Sequence, residues 1–350
     1  MKTQYFSVTD PRDPALKTVG AILRSGGLAA IPTETVYGLA ASALDDDAVR
    51  GIFNAKGRPA DNPLIVHISD LSQWDALVTE IPDNAKRLAA AYWPGPLTII
   101  LPKSERVSDV VSGGLPTVAV RMPSHPIARA VIDAAGVPLA APSANTSGKP
   151  SPTAAQHVKD DLDGKIDCIV DAGPCPIGVE STVVSLAGKK PRLLRPGGVT
   201  PEMLEAVLGE IDIDDAVFHR LADDETAASP GMKYKHYAPA ARVTILKGSF
   251  AQFRQYVDAH KAPGTMALCF AGEEDTLPVP AIAFGKADDG STQAARIFAA
   301  LRELDKRGAT TVFARYPQID GVGLAVFNRL VRAAAFQIID LGGAPCSVTD

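Results

Sequence analysis

Apolar positions along this chain switch repeatedly between two periods. Ala15, Leu16, Val19, Ile22 and Leu23 fall at helical spacing, which predicts an amphipathic helix over 14–25. Short apolar runs then alternate with helical patterns to about residue 208. Candidate strands cover 28–31, 64–68, 97–101, 117–121, 138–141, 168–171, 181–186 and 192–194; candidate helices cover 47–55, 84–91, 125–135, 153–160 and 201–208. Gly209–Ser229 breaks the pattern. It carries Asp212, Asp214, Asp215, Asp223, Asp224 and Glu225 without sustained periodicity, and reads as the start of a linker. From about Arg242 the rhythm resumes, with strands at 242–247, 265–270, 281–284 and 310–315 and helices at 249–259, 291–306 and 322–335. That βαβ alternation predicts a small open parallel sheet. The fold class is therefore mixed α/β, with a larger first domain and a smaller second one.

Composition sharpens this picture in a few places. A chain of 350 residues exceeds the usual size of one hydrophobic core, so two domains are expected. A formal net charge of −5 argues against a protein that coats nucleic acid, though a local basic cleft stays open. The N-terminal MKTQYFSVTDPRDP has no apolar core of a signal peptide, and no apolar run has the length of a membrane span. Cys168, Cys175, Cys269 and Cys346 show no C-x-x-C spacing, so neither a structural zinc site nor a disulfide framework is expected. The cytoplasm is the expected compartment.

The chemistry concentrates in Pro32–His67. Thr33, Glu34, Thr35 and Tyr37 form a polar loop after an apolar strand, and Asp45–Asp47 open a helix that Lys56-Gly57-Arg58-Pro59 stops. Lys56 and Arg58 leave that helix on a turn stiffened by Pro59 and Pro63, a plausible clamp for a phosphate. As a helix end, the same pair could equally be a solvated basic cap. His67, inside an apolar strand, is by itself an ordinary core histidine. Arg121 ends the strand Thr117–Val120 and is followed by Met122-Pro123; an Arg fixed this way can grip a carboxylate through two parallel hydrogen bonds. Ala140–Asn145 is a turn of small residues that would let a ligand approach the backbone. The basic aromatic turn Met232–Pro239 could stack on a nucleobase or on RNA. No G-x-x-x-x-G-K-[ST] loop, G-x-S-x-G elbow or H-E-x-x-H pair occurs.

Seven segments, in order, resemble the L-threonylcarbamoyladenylate synthase family, whose catalytic domain has the YrdC-like fold. They are the Pro32–His67 block, WPGPLTIIL at 93–101, TVAVRMPSHP at 117–126, PLAAPSANTSGKPSPT at 138–153, GVESTVV at 178–184, LLRPGG at 193–198 and SPGMKYKHYAP at 229–239. The last looks like the linker motif of two-domain members. The resemblance implies a YrdC-like twisted-sheet catalytic domain over 1–208, a linker and active-site lid over 209–240, and a Rossmann-like parallel-sheet domain over 241–350. It implies an L-threonine site at Thr35, His67, Arg121, Ala141 and Ser181. It implies ATP contacts at Arg58, Asn62, Thr117, Ser143, Ser151, Arg195 and Tyr234, with Asn145 as a local support. Lys56 would neutralise phosphate charge. The implied reaction joins L-threonine, bicarbonate or CO2, and ATP into L-threonylcarbamoyladenylate and pyrophosphate. Mg²⁺ would arrive with ATP, with no protein-built metal site. The product would pass to a tRNA threonylcarbamoyl transferase complex that modifies the adenosine next to the anticodon. Two alternatives stay open: an RNA-binding or ribosome-maturation module, with weak RNA binding, and a carbamoyl-transfer enzyme of the hydrogenase-maturation type.

Overall fold

Local signals start and stop the elements that carry the site. The computed structural model describes residues 2–220 and 237–342. In chain order the first part contains β1 (Gln4–Ser7), α1 (Ala15–Arg24), β2 (Ala29–Ile31), β3 (Gly38–Ser42), α2 (Asp46–Lys56), β4 (Ile65–His67), α3 (Ser72–Leu77), α4 (Asp83–Tyr92), β5 (Leu97–Pro102), α5 (Asp109–Ser112), β6 (Thr117–Arg121), α6 (Pro126–Ala135), β7 (Leu139–Ala140), α7 (Ala155–Leu162), β8 (Cys168–Asp171), β9 (Thr182–Ser185), β10 (Arg192–Arg195), α8 (Pro201–Leu208) and β11 (Asp212–Ile213). Helix α2 shows the logic. The Asp45 carboxylate accepts from the amides of Asp47 and Ala48, and Gly57, at φ +61°, ends the helix in the left-handed region. Between these caps Val49, Ile52 and Phe53 are buried, each stabilising by about 1.5–3 kcal/mol.

The strands form one eleven-stranded mixed sheet in the order β1-β8-β2-β3-β7-β4-β6-β5-β9-β10-β11. One face of its left half packs against α1 and α6 through Leu16, Val19, Leu23, Ile127, Val131 and Ile132. The opposite face meets α2 and the later helices through Val49, Ile52, Trp74, Leu88, Val158 and Leu204.

Three features of this sheet depart from the sequence reading. Strand β3, GLAAS, has small residues with little strand propensity, yet all five residues are buried because both faces are covered. Strand β1 adds an edge beside β8. The acidic stretch after Gly209 is not linker from its start. Ile211, Ala216 and Val217 are buried and β11 pairs with β10, although Ile213, between Asp212 and Asp214, is exposed.

Gly197, in the Arg195–Gly198 turn, passes directly over the Glu180–Thr182 backbone. A Cβ there would collide with the Thr182 amide nitrogen, the Glu180 carbonyl oxygen and the Ser181 carbonyl carbon. Gly197→Ala is therefore expected to destabilise by about 1–3 kcal/mol, measured by denaturant unfolding. A variant as stable as the parent would show that this turn has room to move.

The chain divides into two units, Met1–Tyr234 and Lys235–Asp350. The second contains β12 (Arg242–Lys247), α9 (Phe250–Ala259), β13 (Thr265–Cys269), β14 (Ala281–Ala283), α10 (Gly290–Lys306), β15 (Thr311–Arg315), α11 (Gly323–Ala333) and β16 (Ile338–Asp340). Its strands, in the order β14-β13-β15-β12-β16, are all parallel, as the βαβ rhythm predicts; β16 was not foreseen. Cys168, Cys175 and Cys269 are buried free thiols, and Cys346 lies outside the described residues.

Candidate active site

The loop 33–37, between β2 and β3, is the hub of the site. Four backbone hydrogen bonds tie it to three other segments: Tyr37 N to Pro152 O (2.8 Å), Ala144 N to Tyr37 O (2.8 Å), Ile177 N to Glu34 O (2.9 Å) and Gly178 N to Thr35 O (3.1 Å). Every residue from Thr33 to Tyr37 is buried. The Thr33 hydroxyl braces the turn, donating to Val36 O at 2.6 Å and lying 2.8 Å from the Thr35 hydroxyl.

Parallel pairing of β4 with β6 sets His67 directly beside Arg121. The Arg121 side chain is only 4% exposed, and its Nη2 lies 2.6 Å from Glu34 Oε1. Its Nη1 donates to Thr35 Oγ1 at 2.9 Å and its Nε to Gly95 O at 3.3 Å. Arg121 was expected to present an open fork to a carboxylate; it is instead already engaged on three sides. Burial, the largest single influence, pushes the Glu34 carboxyl up, but the charge and close approach of Arg121 together with the backbone amides of Glu34 and Ser124 outweigh it, and the net shift is downward. Glu34 is therefore an anion in this site.

His67 Nδ1 lies 3.2 Å from Ile65 O. A carbonyl only accepts, so this contact assigns the proton to Nδ1 and leaves Nε2 as an acceptor. Burial, then the Arg121 charge, pull the imidazole from 6.5 down to about 3. A histidine held neutral in the fold gives up stability as pH falls, because below 6.5 the unfolded ring takes a proton that the buried ring refuses. Acidification from pH 6.5 towards 3 should thus weaken the fold, and His67→Gln should flatten that part of the profile in denaturant unfolding. Parallel profiles for variant and parent would contradict this.

Ala141, just past β7, has its amide bonded to Ile65 O at 3.0 Å, so its carbonyl is the main-chain group left to meet a ligand. Ser181, at the start of β9, shares its hydroxyl with Thr98 Oγ1 (2.8 Å) and Arg195 Nη2 (3.1 Å), while Arg195 Nε donates to Ser181 O at 3.0 Å. The Ser151 hydroxyl donates to Glu180 Oε1 at 2.5 Å. Arg58 bends over its own turn, with Nη2 donating to Pro63 O at 3.0 Å and Asn62 O at 3.3 Å. Asn62 is buried. Ser143 Oγ donates to Asn145 Oδ1 at 2.5 Å, and Asn145 Nδ2 bonds Thr146 O and Lys149 O.

One expectation needs amending. Lys56 was read as a charge leaving a helix end for a phosphate. It is 2% exposed, and its ammonium donates to the carbonyls of Ser143 and Asn145, the latter at 2.6 Å. The chain 143–147 returns over the helix end, with Ser147 N bonding Lys56 O at 2.9 Å, which is why the lysine is covered. Its visible work is to shape the Ser143–Asn145 loop. Thr117, expected at the nucleotide, stands at the opposite end of β6 from Arg121, four residues and about 13 Å away, apart from the Thr35–Arg121 cluster. Tyr234 and the rest of 221–236, within the expected 209–240 linker and lid, lie outside the described residues.

Glu34, Glu180 and Thr98 were not singled out from sequence. The available signal was an acidic residue beside small hydroxyl residues at a strand end, between Thr33 and Thr35 at Glu34 and directly before Ser181-Thr182 at Glu180. Among the described residues, no group of three or more His, Cys, Asp or Glu side chains could hold a metal ion, and no helix is long and apolar enough to cross a membrane.

Comparison with known proteins gives concordant matches. The Sua5/YciO/YrdC family model, described as "Telomere recombination", matches residues 21–197, and a model described as "Threonylcarbamoyl-AMP synthase, C-terminal domain" matches 199–335. The threonylcarbamoyl-AMP synthase of Pyrococcus abyssi is 48% identical over 93% of this chain and 95% of its own length. That of Bacillus subtilis is 47% identical over 97% of this chain and 100% of its own. The crystal structure of P. abyssi Sua5 complexed with L-threonine superposes with a TM-score of 0.91, at 45% identity, over 97% of this chain and 99% of that one.

Proposed function

From the premise that this chain belongs to the Sua5/YciO/YrdC family, and within it to the two-domain threonylcarbamoyl-AMP synthases, we propose that it condenses L-threonine, bicarbonate or CO2, and ATP into L-threonylcarbamoyladenylate with release of pyrophosphate. The observation that carries this reading is the buried convergence of Thr35, His67 and Arg121 on one hub, with the Ser181 hydroxyl bonded to Thr98 on β5, the strand paired with β6. That a P. abyssi relative has been solved with L-threonine supports it.

The threonine subsite consists of Thr35, His67, Arg121, the Ala141 backbone and Ser181. His67, neutral with an acceptor at Nε2, suits the threonine hydroxyl. Arg58, Asn62, Thr117, Ser143, Ser151 and Arg195 face the nucleotide, with Tyr234 added from the lid. Mg²⁺ arrives bound to ATP as part of that substrate.

The chemistry is an addition followed by a substitution. The neutral α-amine adds to the carbon of CO2, forming the N–C bond of a carbamate and releasing a proton. A carbamate oxygen then attacks the α-phosphorus, and the bond from that phosphorus to the bridging oxygen breaks as pyrophosphate leaves. Neither step needs a covalent enzyme intermediate. Positioning and charge neutralisation suffice, which fits a site of arginines, hydroxyls and amides. The mixed anhydride is activated for transfer, and we assign its use to a separate complex that modifies tRNA.

The test is product identity. Incubation with ¹³C-bicarbonate, ATP and L-threonine should give a threonylcarbamoyl-adenylate ion one mass unit heavier than with unlabelled bicarbonate. An adenylate without the label, such as threonyl-adenylate, would overturn the assignment.

A further inference from the structure

Nothing assigned so far uses the Glu34 carboxylate. It sits at the centre of the site beside a guanidinium, and the pair is imperfectly closed. Nη2 of Arg121 and Oε1 of Glu34 are 2.6 Å apart. Yet neither Glu34 oxygen, nor Nη2 itself, has a well-aligned hydrogen bond among the described residues, although all three atoms are buried. Buried charged groups ordinarily complete their hydrogen bonds, because leaving them incomplete is costly. The rest of Arg121 is held, by Thr35 Oγ1 at Nη1 and by Gly95 O at Nε. The Glu34 backbone is held by the Ile177 amide. Nη2 and the Glu34 carboxylate are thus the two groups of the pair left able to change partner.

We propose that the Glu34–Arg121 ion pair is an internal stand-in for a zwitterion: the α-carboxylate of a free amino acid replaces Glu34 on Arg121, while Glu34 receives the ligand's α-ammonium group. This rests on the threonine reading of the site and adds the group that recognises the amine. The argument is one of charge conservation. Two buried charges are tolerable while paired, and stranding either one is strongly unfavourable. A ligand bearing only a carboxylate would take Arg121 and strand Glu34. A ligand bearing only an ammonium would do the reverse. A free α-amino acid exchanges one ion pair for two and strands nothing. The site therefore selects ligands with both charges over hydroxy acids, amides and N-blocked amino acids. Glu34 anchors the amino acid in its ammonium form, and that proton leaves to bulk water before the neutral amine adds to CO2.

The experiment is calorimetric titration of the full chain and of Glu34→Gln with three ligands. L-Threonine carries both charges, (R)-3-hydroxybutyrate lacks the amine, and L-threoninamide lacks the carboxylate. The wild-type chain should bind threonine about 10- to 100-fold more tightly than either analogue. In Glu34→Gln, threonine should weaken by about tenfold or more, whereas (R)-3-hydroxybutyrate should hold or tighten, because Arg121 has lost its competitor. These opposite movements are not what general damage to the site would produce. If the variant keeps the wild-type ratio between threonine and (R)-3-hydroxybutyrate, the exchange is wrong. It is equally wrong if the wild-type chain binds (R)-3-hydroxybutyrate as tightly as threonine, a result that needs no variant. A wild-type chain that binds none of the three overturns the threonine reading itself, and this inference with it.

Discussion

Arg121→Ala is expected to abolish measurable L-threonine binding and to destabilise the fold by about 3–5 kcal/mol, because it leaves a buried carboxylate without its counter-charge. The pH dependence identifies the cause. In the parent, Arg121 holds Glu34 below the ordinary carboxylate range despite burial. The pair's contribution is therefore fully present above the unfolded-state value and is lost as pH falls through the lower folded one. Without the guanidinium, burial dominates and the Glu34 carboxyl rises above its unfolded value. Its contribution in the variant is then present only while it is protonated and is lost as pH rises. The deficit of Arg121→Ala should accordingly be largest near neutrality and shrink towards about pH 4, the unperturbed range for a glutamate. Adding Glu34→Gln should restore part of the stability at neutral pH but not the threonine binding. Denaturant unfolding at several pH values, beside calorimetric titration, checks both points. A deficit that does not change with pH would mean that the lost contacts to Thr35 and Gly95, and not the stranded charge, dominate.

The second large effect is expected at Lys56. Its ammonium reaches the carbonyls of Ser143 and Asn145 from beneath the small-residue loop. Lys56→Met keeps the aliphatic stem but removes the donors, at about 1–3 kcal/mol for each buried carbonyl left unpaired. The loop can recover those bonds only by moving, which would also disturb the Ser143–Asn145 hydrogen bond. Activity should fall by about 100-fold or more, in line with roughly 3 kcal/mol of lost positioning. The loss should be seen mainly in ATP dependence, with threonine affinity largely kept, since Thr35, His67 and Arg121 stand on other segments. Steady-state kinetics against each substrate separates these. Unchanged ATP parameters would show that the loop holds its shape without the lysine.

Much of the site was legible because its residues lie at the ends of regular elements. The strand ending at Arg121 and the strand carrying His67 both announce themselves by apolar runs, and their register then sets the two side chains together. What stayed hidden depended on contacts between distant segments. Strand β3 is small-residue backbone whose strand state comes from cover on both faces. Lys56 looks solvated from its place at a helix C-terminus, and only the return of 143–147 buries it. An acidic residue in a loop is by default exposed, so Glu34 becomes notable only once Arg121, far along the chain, is seen against it. The acidic run after Gly209 resembles linker because its apolar residues are too few to show a period, yet its backbone pairs with β10 and Ile211, Ala216 and Val217 are buried.

The central claim is that threonine, bicarbonate and ATP meet in one site and leave as an adenylate and pyrophosphate. Pyrophosphate release measured with each substrate omitted in turn tests it most directly. The account predicts release only when threonine, bicarbonate and ATP are all present, with stoichiometric adenylate and no ADP. Pyrophosphate formed equally well without threonine, or ADP and phosphate in its place, would contradict it.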